Sequence, residues 1–434
     1  MKNFNSIGIT ALLLCILLAS CNNQSLRIFK SSSARTQYLH TLKTSGIADT
    51  KIGTEWQNSA SKAVLNAAVL EIPVAIQGNF LAKSIEANAW KIQLDQGASV
   101  NIWVDWQARD SSELIVDLLA GPDWKELESF AAREDSVTFE ADKAGNYILR
   151  IQPELLGEGN FQVRVQGTAT YAVFPVQGRN SRAIQSIWGD VRDGGRRSHE
   201  GVDIFAPRGT PVLAPVAGVV TSVRDQGLGG KQVWVRDGER NWHLYFAHLD
   251  SQLVSSLQRV APGDTLGLVG NTGNARTTAP HLHFGIYQNG AINPFPAIEN
   301  DFDTAPELTP RELDRVMTVT APKANLRGAP STRADVVTQL TDQTPVFILA
   351  ATRDWYQIHT ADGLRGFLSM SLVGEADSAS LPKSEAVALT NLDPLTQDAL
   401  LVQLDEFVKI GSIRGYDLIR DADENILYLP TEGN

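Results

Sequence analysis

The sequence predicts a mostly β, multidomain protein with a short helical segment near its N-terminus. The chain has 434 residues, for which about three domains is the ordinary expectation. Between residues 74 and 166, apolar and polar residues alternate with a period of two, which is typical of half-buried strands. Two further β-rich stretches follow at residues 170–298 and 316–376. Hydrophobic residues make up 43% of the chain, enough for ordinary globular cores.

The N-terminus has the pattern of an export signal. Lys2 precedes an apolar run over residues 7–18, which is too short to span a bilayer but has the length of a signal h-region. The run ends in Leu18-Ala19-Ser20-Cys21, which resembles a bacterial lipobox. The resemblance implies removal of residues 1–20 as a lipoprotein signal peptide and lipid attachment to Cys21. The alternative is an ordinary cleaved signal followed by a chance cysteine.

Charge and cysteine content restrict the partners and the location. A net charge of −11 and a pI near 5.2 argue against nucleic acid as a partner and against electrostatic docking to anionic lipid. Cys15, the only other cysteine, would leave with the signal, so the mature chain can form no internal disulfide. We therefore expect a membrane-anchored lipoprotein of the cell envelope. Asn22 is no acidic retention signal, which favours the outer membrane in a cell with two membranes.

Residues 21–69 are predicted to form a tether and a short helical segment. Residues 22–34 are rich in Asn and Ser, as in a flexible spacer. Thr54-Glu55-Trp56-Gln57 has the form of a capping box, and apolar residues follow at helical spacing as far as Ala67. Pro73 is predicted to end this segment.

Residues 70–168 are predicted to form a β-sandwich. Short alternating strands are separated by turn signals such as Asp95-Gln96-Gly97 and Gly121-Pro122-Asp123. The strand pattern resembles that of the pre-peptidase domains that flank secreted bacterial proteases.

Residues 170–298 contain five of the seven histidines. In a strand, His281 and His283 should point the same way, because the side-chain period is two. Two imidazoles on one face suit a metal ligand beside an acid or base. A hydrolytic zinc site needs three protein ligands and one open position. His199, Asp203 and His283 would supply two imidazoles and one carboxylate, which leaves His281 and His248 for proton transfer and for the oxyanion.

Several motifs in this region resemble one family in the right order. They are His199-x-x-x-Asp203, Gly209-Thr210-Pro211-Val212, Tyr245-Phe246-Ala247-His248-Leu249, Gly270-Asn271-Thr272-Gly273-Asn274 and His281-Leu282-His283. They resemble the lysostaphin/LytM-type zinc metalloendopeptidases, which cut peptide bridges in peptidoglycan. The resemblance implies an antiparallel-β peptidase core with one Zn²⁺ held by His199, Asp203 and His283. It also implies that His281 and His248 act on the water and the intermediate.

Other polar residues near the motifs are given different roles. His243 lies an odd number of residues before His248, which predicts the opposite strand face and a structural role. His40 and His359 are also predicted to be structural. Glu200 is predicted to lie near the ligands or on the surface, because the His-Glu-x-x-His motif needs a second histidine where Asp203 stands.

An arginine-rich loop precedes the first candidate ligand. One hypothesis is that Arg192, Arg196 or Arg197 pairs with a carboxylate of a peptidoglycan stem peptide, since guanidinium binds carboxylate at two points. The alternative is a solvated basic loop.

The C-terminal third is divided into three parts. Residues 299–315 are acidic and proline-bearing, as in a linker. Residues 316–376 carry Asn325-Leu326-Arg327 and Gly363-Leu364-Arg365-Gly366-Phe367-Leu368, which resemble the bacterial Src-homology-3-like domain, a small β-barrel common in cell-wall enzymes. Residues 377–434 are a β extension. Residues 416–429 align with residues 355–368 without a gap, so the extension is either an added hairpin or a degenerate second copy.

Together these features predict a zinc metalloendopeptidase that hydrolyses peptide cross-links of peptidoglycan. Two rival functions stay open: a non-catalytic module that activates a cell-wall amidase, and a protease of glycine-rich proteins. The expected partners are peptidoglycan stem peptides and a membrane reached through the lipid on Cys21, with no nucleic acid. The oligomeric state and the cross-link bond that is cut stay open.

Overall fold

The structure is a computed structural model that describes residues 33–81, 85–132, 136–311, 313, 316–360 and 363–375, together with strands between residues 379 and 430. The fold is mostly β, as predicted. The predicted signal peptide, residues 1–20, and the predicted lipidation site Cys21 lie outside the described residues. Within the described part, no helix is long and apolar enough to cross a membrane.

From residue 33 onward, two described helices precede the first strand: α1 (Ala34–Thr44) and α2 (Lys51–Leu65). The Thr50 hydroxyl caps α2 by accepting a hydrogen bond from the Gly53 N–H. The predicted capping box at Thr54 is therefore wrong, because Thr50 offers the same side-chain oxygen one turn earlier. The helix also ends before Pro73, which instead immediately precedes a strand.

The predicted sandwich is present as two facing sheets. Its strands are β1 (Ala68–Val69), β2 (Val74–Phe80), β3 (Asn88–Leu94), β4 (Ser99–Ala108), β5 (Leu114–Ala120), β6 (Lys125–Ala131), β7 (Val137–Glu140), β8 (Gly145–Pro153) and β9 (Gly159–Thr168). One sheet has the order β1-β3-β8-β5-β6, and the other includes β2-β9-β4-β7. Alternate residues of both sheets, such as Trp90 and Phe161, meet in one buried core.

A buried ionic network attaches α1 to the outer face of the first sandwich sheet. The Arg35 Nε donates to Asp117 Oδ2 over 2.8 Å, and the Arg150 Nε donates to the same oxygen over 2.8 Å. Arg35 Nη1 also donates to Gln152 Oε1 over 2.9 Å. Asp117 is fully buried, so its charge is balanced inside the protein.

The histidine-rich region follows as antiparallel β structure. Its strands are β10 (Ile184–Ser186), β11 (Val191–Arg192), β12 (Arg197–Ser198), β13 (Val202–Phe205), β14 (Pro211–Leu213), β15 (Gly218–Asp225), β16 (Lys231–Asp237), β17 (His243–Ala247), β18 (Ser251–Gln252), β19 (Arg259–Val260), β20 (Thr265–Leu268), β21 (His281–Tyr287) and β22 (Ala291–Ile292), followed by helix α3 (Phe295–Ile298). The main sheet has the order β10-β13-β21-β17-β16-β15-β19, with β22 on β21. A small sheet has the order β14-β20-β18, and β11 pairs with β12.

The Src-homology-3-like region is a compact set of short strands. They are β23 (Val316–Val319), β24 (Ala324–Arg327), β25 (Val336–Leu340), β26 (Pro345–Ala351), β27 (Trp355–His359), β28 (Arg365–Ser369) and β29 (Val373–Glu375). Strand β26 also pairs with β2 of the sandwich through Gln77 and Ala351, so one sheet continues through both regions. Across the same boundary, Trp90 Nε1 donates to Gln357 Oε1 over 2.9 Å.

The predicted linker and the region before it make specific contacts with the sandwich. Within residues 299–315, Gln77 donates to the Thr309 carbonyl over 2.7 Å, and Leu313 is buried in the Src-homology-3-like core. The Arg240 guanidinium, from the histidine-rich region, pairs with Glu140 of the sandwich over 2.7 and 2.8 Å. These contacts hold the neighbouring regions together. The limits of the domains stay predictions.

The C-terminal extension is also β structure where it is described. Its strands are β30 (Ala379–Ser380), β31 (Glu385–Ala388), β32 (Leu400–Gln403), β33 (Phe407–Ile413), β34 (Tyr416–Asp421) and β35 (Ile426–Pro430). In the gapless alignment, Trp355 and Tyr416 begin one strand, and Arg365 and Ile426 begin the next. Each pair of strands is antiparallel. An added hairpin and a degenerate copy share this pattern, so both interpretations stay open.

Candidate metal centre and cleft

Three antiparallel strands bring the candidate ligands together. In the register of β13 and β21, Asp203 lies opposite His283. On the other side of β21, Ala247 of β17 lies opposite the same histidine. His199 precedes β13 and is fixed by its backbone, since its N–H donates to the Asp190 carbonyl over 2.8 Å. Residues distant in sequence therefore converge on one side of the sheet.

His199, Asp203 and His283 form a compact set of three possible metal donors. Asp203 Oδ1 lies 3.1 Å from His199 Nε2 and 3.0 Å from His283 Nδ1, and the two nitrogens are 3.0 Å apart. Ligands about 2.0–2.1 Å from a tetrahedral zinc ion are about 3.3 Å from one another. The spacing of the three atoms is close to that value.

The hydrogen bonds around His199 also fit a cation. Its Nδ1 lies 2.8 Å from the Ile187 carbonyl, which can only accept, so Nδ1 carries the proton. Nε2 then turns its lone pair toward the Asp203 carboxylate oxygen. Two acceptors 3.1 Å apart repel each other unless a cation lies between them. The donor set of two imidazoles and a carboxylate is one that zinc accepts.

The protonation of the cluster also suits metal binding. Burial opposes ionisation of Asp203, but its interactions with the neighbouring rings of His199 and His283 outweigh burial and hold the pKa of its carboxyl below the usual value. Burial lowers the pKa of His283. Metal binding needs an ionised carboxylate and neutral imidazoles, and these two shifts favour those forms of Asp203 and His283.

Two further histidines complete the group. His281 Nδ1 lies 2.8 Å from the Ala279 carbonyl, and His248 Nδ1 lies 2.9 Å from the Thr272 carbonyl. Each ring therefore keeps its proton on Nδ1 and has Nε2 as its free nitrogen. His281 Nε2 is 3.9 Å from Asp203 Oδ1. The ring centroids of His248 and His281 are 5.1 Å apart. Burial, and then the charges of the neighbouring histidines, lower the pKa of His248 to about 4.

These residues line one side of an open cleft of about 700 Å³. All of its lining residues belong to the histidine-rich region: Arg192, Arg196, Arg197, Ser198, His199, Glu200, Asp203, Leu228, Gly229, Tyr245, Ala247, His248, Asn274, Ala275, Thr278, His281, His283 and Tyr287. A buried carboxylate and four imidazoles thus face a space large enough for a peptide segment.

Comparisons with known proteins identify this region. Residues 197–294 match the family described as Peptidase family M23, and residues 322–374 match the bacterial SH3 domain. The chain contains an M23 peptidase domain and a bacterial SH3 domain. The predicted resemblances to a lysostaphin/LytM-type peptidase and to an SH3-like domain are therefore confirmed.

Similar proteins include two endopeptidases. The L-Ala--D-Glu endopeptidase of Bacillus subtilis is 40% identical over 143 residues, which are 31% of this chain and 42% of that protein. The peptidoglycan DD-endopeptidase ShyC of Vibrio cholerae is 34% identical over 111 residues, 26% of this chain and 24% of that protein. The chain thus spans less than half the length of these relatives. The solved catalytic domain of lysostaphin from Staphylococcus simulans is 29% identical, with 27% of this chain and 94% of that chain covered and a TM-score of 0.25.

The arginines before the M23 ligands take different positions. Arg192 Nη2 donates to Asp203 Oδ2 over 2.8 Å and also contacts the Ser186 hydroxyl. Arg192 therefore orients the candidate ligand by holding the oxygen that the histidines do not contact. Arg196 and Arg197 line the cleft and are exposed, so the carboxylate hypothesis applies best to them.

The structure corrects the placement of His243. It lies opposite Tyr287 in the β17–β21 pair, and directly opposed residues share a sheet face, so His243 is on the same face as His283. The predicted opposite face is wrong because β17 ends at Ala247. His248 lies beyond the strand with φ 62°, where counting by twos no longer applies. His243 is exposed and lies outside the cleft lining, so a structural role is not supported.

The remaining predicted residues are placed as follows. Glu200 is exposed on the cleft wall, in agreement with a surface position. His359 stacks on Phe347 with ring centroids 4.7 Å apart, which supports a structural role. His40 is exposed on α1, which does not support one.

Sequence reasoning missed an aromatic group beside the ligands. Trp234, Tyr245 and Tyr287 come from three different strands and meet on the cleft side of the sheet. Tyr245 lies two residues before Ala247, and Tyr287 lies four residues after His283. The period-two rule applied to the histidine strands could therefore have placed both tyrosines on the ligand face.

Proposed function

We propose that the protein is a zinc-dependent endopeptidase that hydrolyses peptide cross-links of bacterial peptidoglycan. The observation that carries the proposal is the set of three donors, His199, Asp203 and His283, at the side of an open cleft within an M23 domain. The names of the relatives and the adjoining SH3 domain favour a cell-wall substrate.

The three donors would hold one Zn²⁺ through His199 Nε2, Asp203 Oδ1 and His283 Nδ1. When bound, such an ion lowers the pKa of a water and polarises the carbonyl under attack. The chain prepares the site by fixing the donors. The Ile187 carbonyl orients the His199 ring, and Arg192 orients the Asp203 carboxylate.

His281 and His248 are placed to move protons. Hydrolysis joins the water oxygen to the carbonyl carbon, breaks the carbon–nitrogen bond and delivers a proton to the leaving nitrogen. Both rings keep their proton on Nδ1 and have a free Nε2, so each can accept a proton from water and return it to the amine. A ring that has taken up a proton can also donate a hydrogen bond to the oxyanion.

The rival functions receive less support. A non-catalytic module that activates an amidase needs neither a complete donor set nor two further imidazoles on the same cleft. A protease of glycine-rich proteins would use the same residues, but the SH3 domain and the relatives give it no specific support.

One experiment separates the three functions. The soluble mature chain is incubated with purified sacculi and with a glycine-rich protein, with and without a chelator, and new termini are identified by mass spectrometry. We expect chelator-sensitive cleavage of stem-peptide bonds in sacculi. Cleavage of only the glycine-rich protein would show that the substrate is protein and not peptidoglycan. If neither digest contained a new amine terminus, the non-catalytic function would be supported instead.

The location is part of the same proposal. We propose that lipid on Cys21 anchors the chain in the envelope, in the outer membrane where there are two, and that the SH3 domain holds it on the wall. Changing Cys21 to Ala should move the protein from the membrane fraction to the soluble fraction. An unchanged distribution would contradict the anchor.

A further inference from the structure

An aromatic wall lies next to the candidate ligands on the same face of the main sheet. Trp234 and Tyr245 are directly opposed on β16 and β17, with ring centroids 4.4 Å apart. Tyr287 completes the wall at 5.2 Å from Trp234 and 6.2 Å from Tyr245. The Tyr245 ring is 5.7 Å from the His283 ring, so the wall begins beside the reaction centre.

A glycine leaves space at the base of this wall. Gly285 lies opposite Tyr245 in the β17–β21 pair. A Cβ at Gly285 would lie 3.1 Å from Tyr287 Cε2, 3.1 Å from the Glu200 carbonyl and 3.7 Å from Tyr245 Cβ. The glycine is therefore surrounded by the two tyrosines and Glu200, and any side chain there would fill the space among them.

Glu200 adds a negative charge to this space. The Glu200 backbone carbonyl borders this space. Burial, and then the charges of Glu200 and Tyr245, raise the pKa of Tyr287 to about 12. An exposed carboxylate thus lies beside aromatic rings in the cleft.

We propose that Trp234, Tyr245, Tyr287 and Glu200 form a subsite that binds an ammonium group of the substrate, on a residue close to the scissile bond. This inference rests on the proposed function and names the charge of the substrate group. Aromatic faces are negative and attract cations, and the attraction is stronger where water is excluded. A neutral apolar group in the same place would bury the Glu200 carboxylate without a partner, which is unfavourable.

The test compares two synthetic cross-linked stem peptides with the zinc-loaded full chain. In one peptide a diamino residue beside the cross-link has a free amine, and in the other that amine is acetylated. We expect acetylation to lower kcat/KM by about 2- to 30-fold, mainly through KM, which is the range of a cation–aromatic contact. Calorimetric titration of the His281→Ala variant with each peptide should show tighter binding of the free-amine peptide, and no turnover will disturb this measurement.

Three variants identify the side chains responsible. Glu200→Gln and Tyr245→Leu should lose most of the preference for the free amine while retaining zinc, whereas Tyr245→Phe should keep it because the aromatic face is unchanged. Asp225→Asn, an exposed carboxylate outside the cleft lining, is the matched control and should behave as the wild type.

Two results would overturn the subsite: equal binding of both peptides by the His281→Ala variant, or an undiminished preference after both Glu200→Gln and Tyr245→Leu. A different result would contradict the proposed function. If the wild type cleaves neither peptide nor sacculi, the peptidase proposal fails, while the binding preference still decides the subsite.

Discussion

Two buried aspartates show how the sandwich and the M23 domain use charge differently. Asp117 is fully buried, and Asp203 is 8% exposed. In both, burial opposes ionisation but neighbouring groups hold the pKa of the carboxyl below its usual value. Asp117 is neutralised by Arg35 and Arg150, which carry permanent charge. Asp203 faces His199 and His283, which are neutral unless protonated, with Arg192 on its other oxygen.

The difference separates a structural cluster from a functional one. In the Asp117 cluster, two guanidinium groups of the chain itself supply the charge opposite to that of the carboxylate. The Asp203 cluster directs three donor atoms at one point and opens onto a cleft, so an added cation would complete it. Both clusters contain a buried aspartate. They differ in the residues that contact the carboxylate and in their access to solvent.

The largest expected effect comes from the candidate active-site histidines. We expect His283→Ala to lose both bound zinc and turnover, because it removes a donor atom. His281→Ala should keep zinc and lower kcat by about 10²- to 10⁴-fold, the usual contribution of acid–base catalysis. Metal analysis and the rate of sacculus cleavage measure the two effects.

The His243→Ala variant is the control for this pair, because His243 lies on the same sheet face but outside the cleft lining. It should retain zinc and most of the activity. If His281→Ala lost zinc as His283→Ala does, the assignment of ligand and proton-transfer residue would be wrong.

The next largest effect concerns the Asp117 cluster. Asp117→Asn should destabilise the sandwich by about 3–5 kcal/mol, because two arginines would be left buried without their counter-charge. Faster hydrogen exchange in peptides covering α1 and β5 would report it. Glu158→Gln, in the exposed pair with Arg109, should cost about 0–1 kcal/mol.

A triple change sharpens the same test. Replacing Arg35, Asp117 and Arg150 together by apolar residues of similar size should restore much of the lost stability, because no unpaired charge remains. Equal exchange rates in Asp117→Asn and the wild type would show that the network contributes little. Neither change should alter zinc content.

The site could be predicted from sequence where local geometry decides it. The sequence predicts that His281 and His283 share one strand face, and in the structure both side chains lie on the side of Asp203, 3.9 and 3.0 Å from its Oδ1. The same rule failed for His243 because His248 lies beyond the end of its strand. A period of two describes residues within a strand, and the sequence did not show where β17 ends.

Other features depend on strand pairing that no local pattern reveals. Trp234 and Tyr245 meet because β16 pairs with β17 in one register, and Tyr287 joins them from β21. The pairing of β2 with β26 joins regions more than 250 residues apart in sequence through Gln77 and Ala351. The alternating pattern predicts that strands exist, but their partners are set by the assembled core.

The smallest effect tests how closely the cluster is packed. A Cβ at Gly201 would lie 2.6 Å from His283 Cε1 and 2.7 Å from His283 Nε2, so Gly201→Ala must displace the imidazole. We expect zinc affinity to fall by about 10- to 100-fold, as when the support of a ligand is disturbed. Competition with a chromophoric chelator measures the affinity. Gly238→Ala, whose Cβ would lie 3.9 Å from the nearest atom, is the matched control and should leave it unchanged. If Gly201→Ala bound zinc as tightly as Gly238→Ala, the His283 ring would have freedom to move. The Asp203 cluster would then be more loosely packed than the buried Asp117 cluster, as well as different from it in charge.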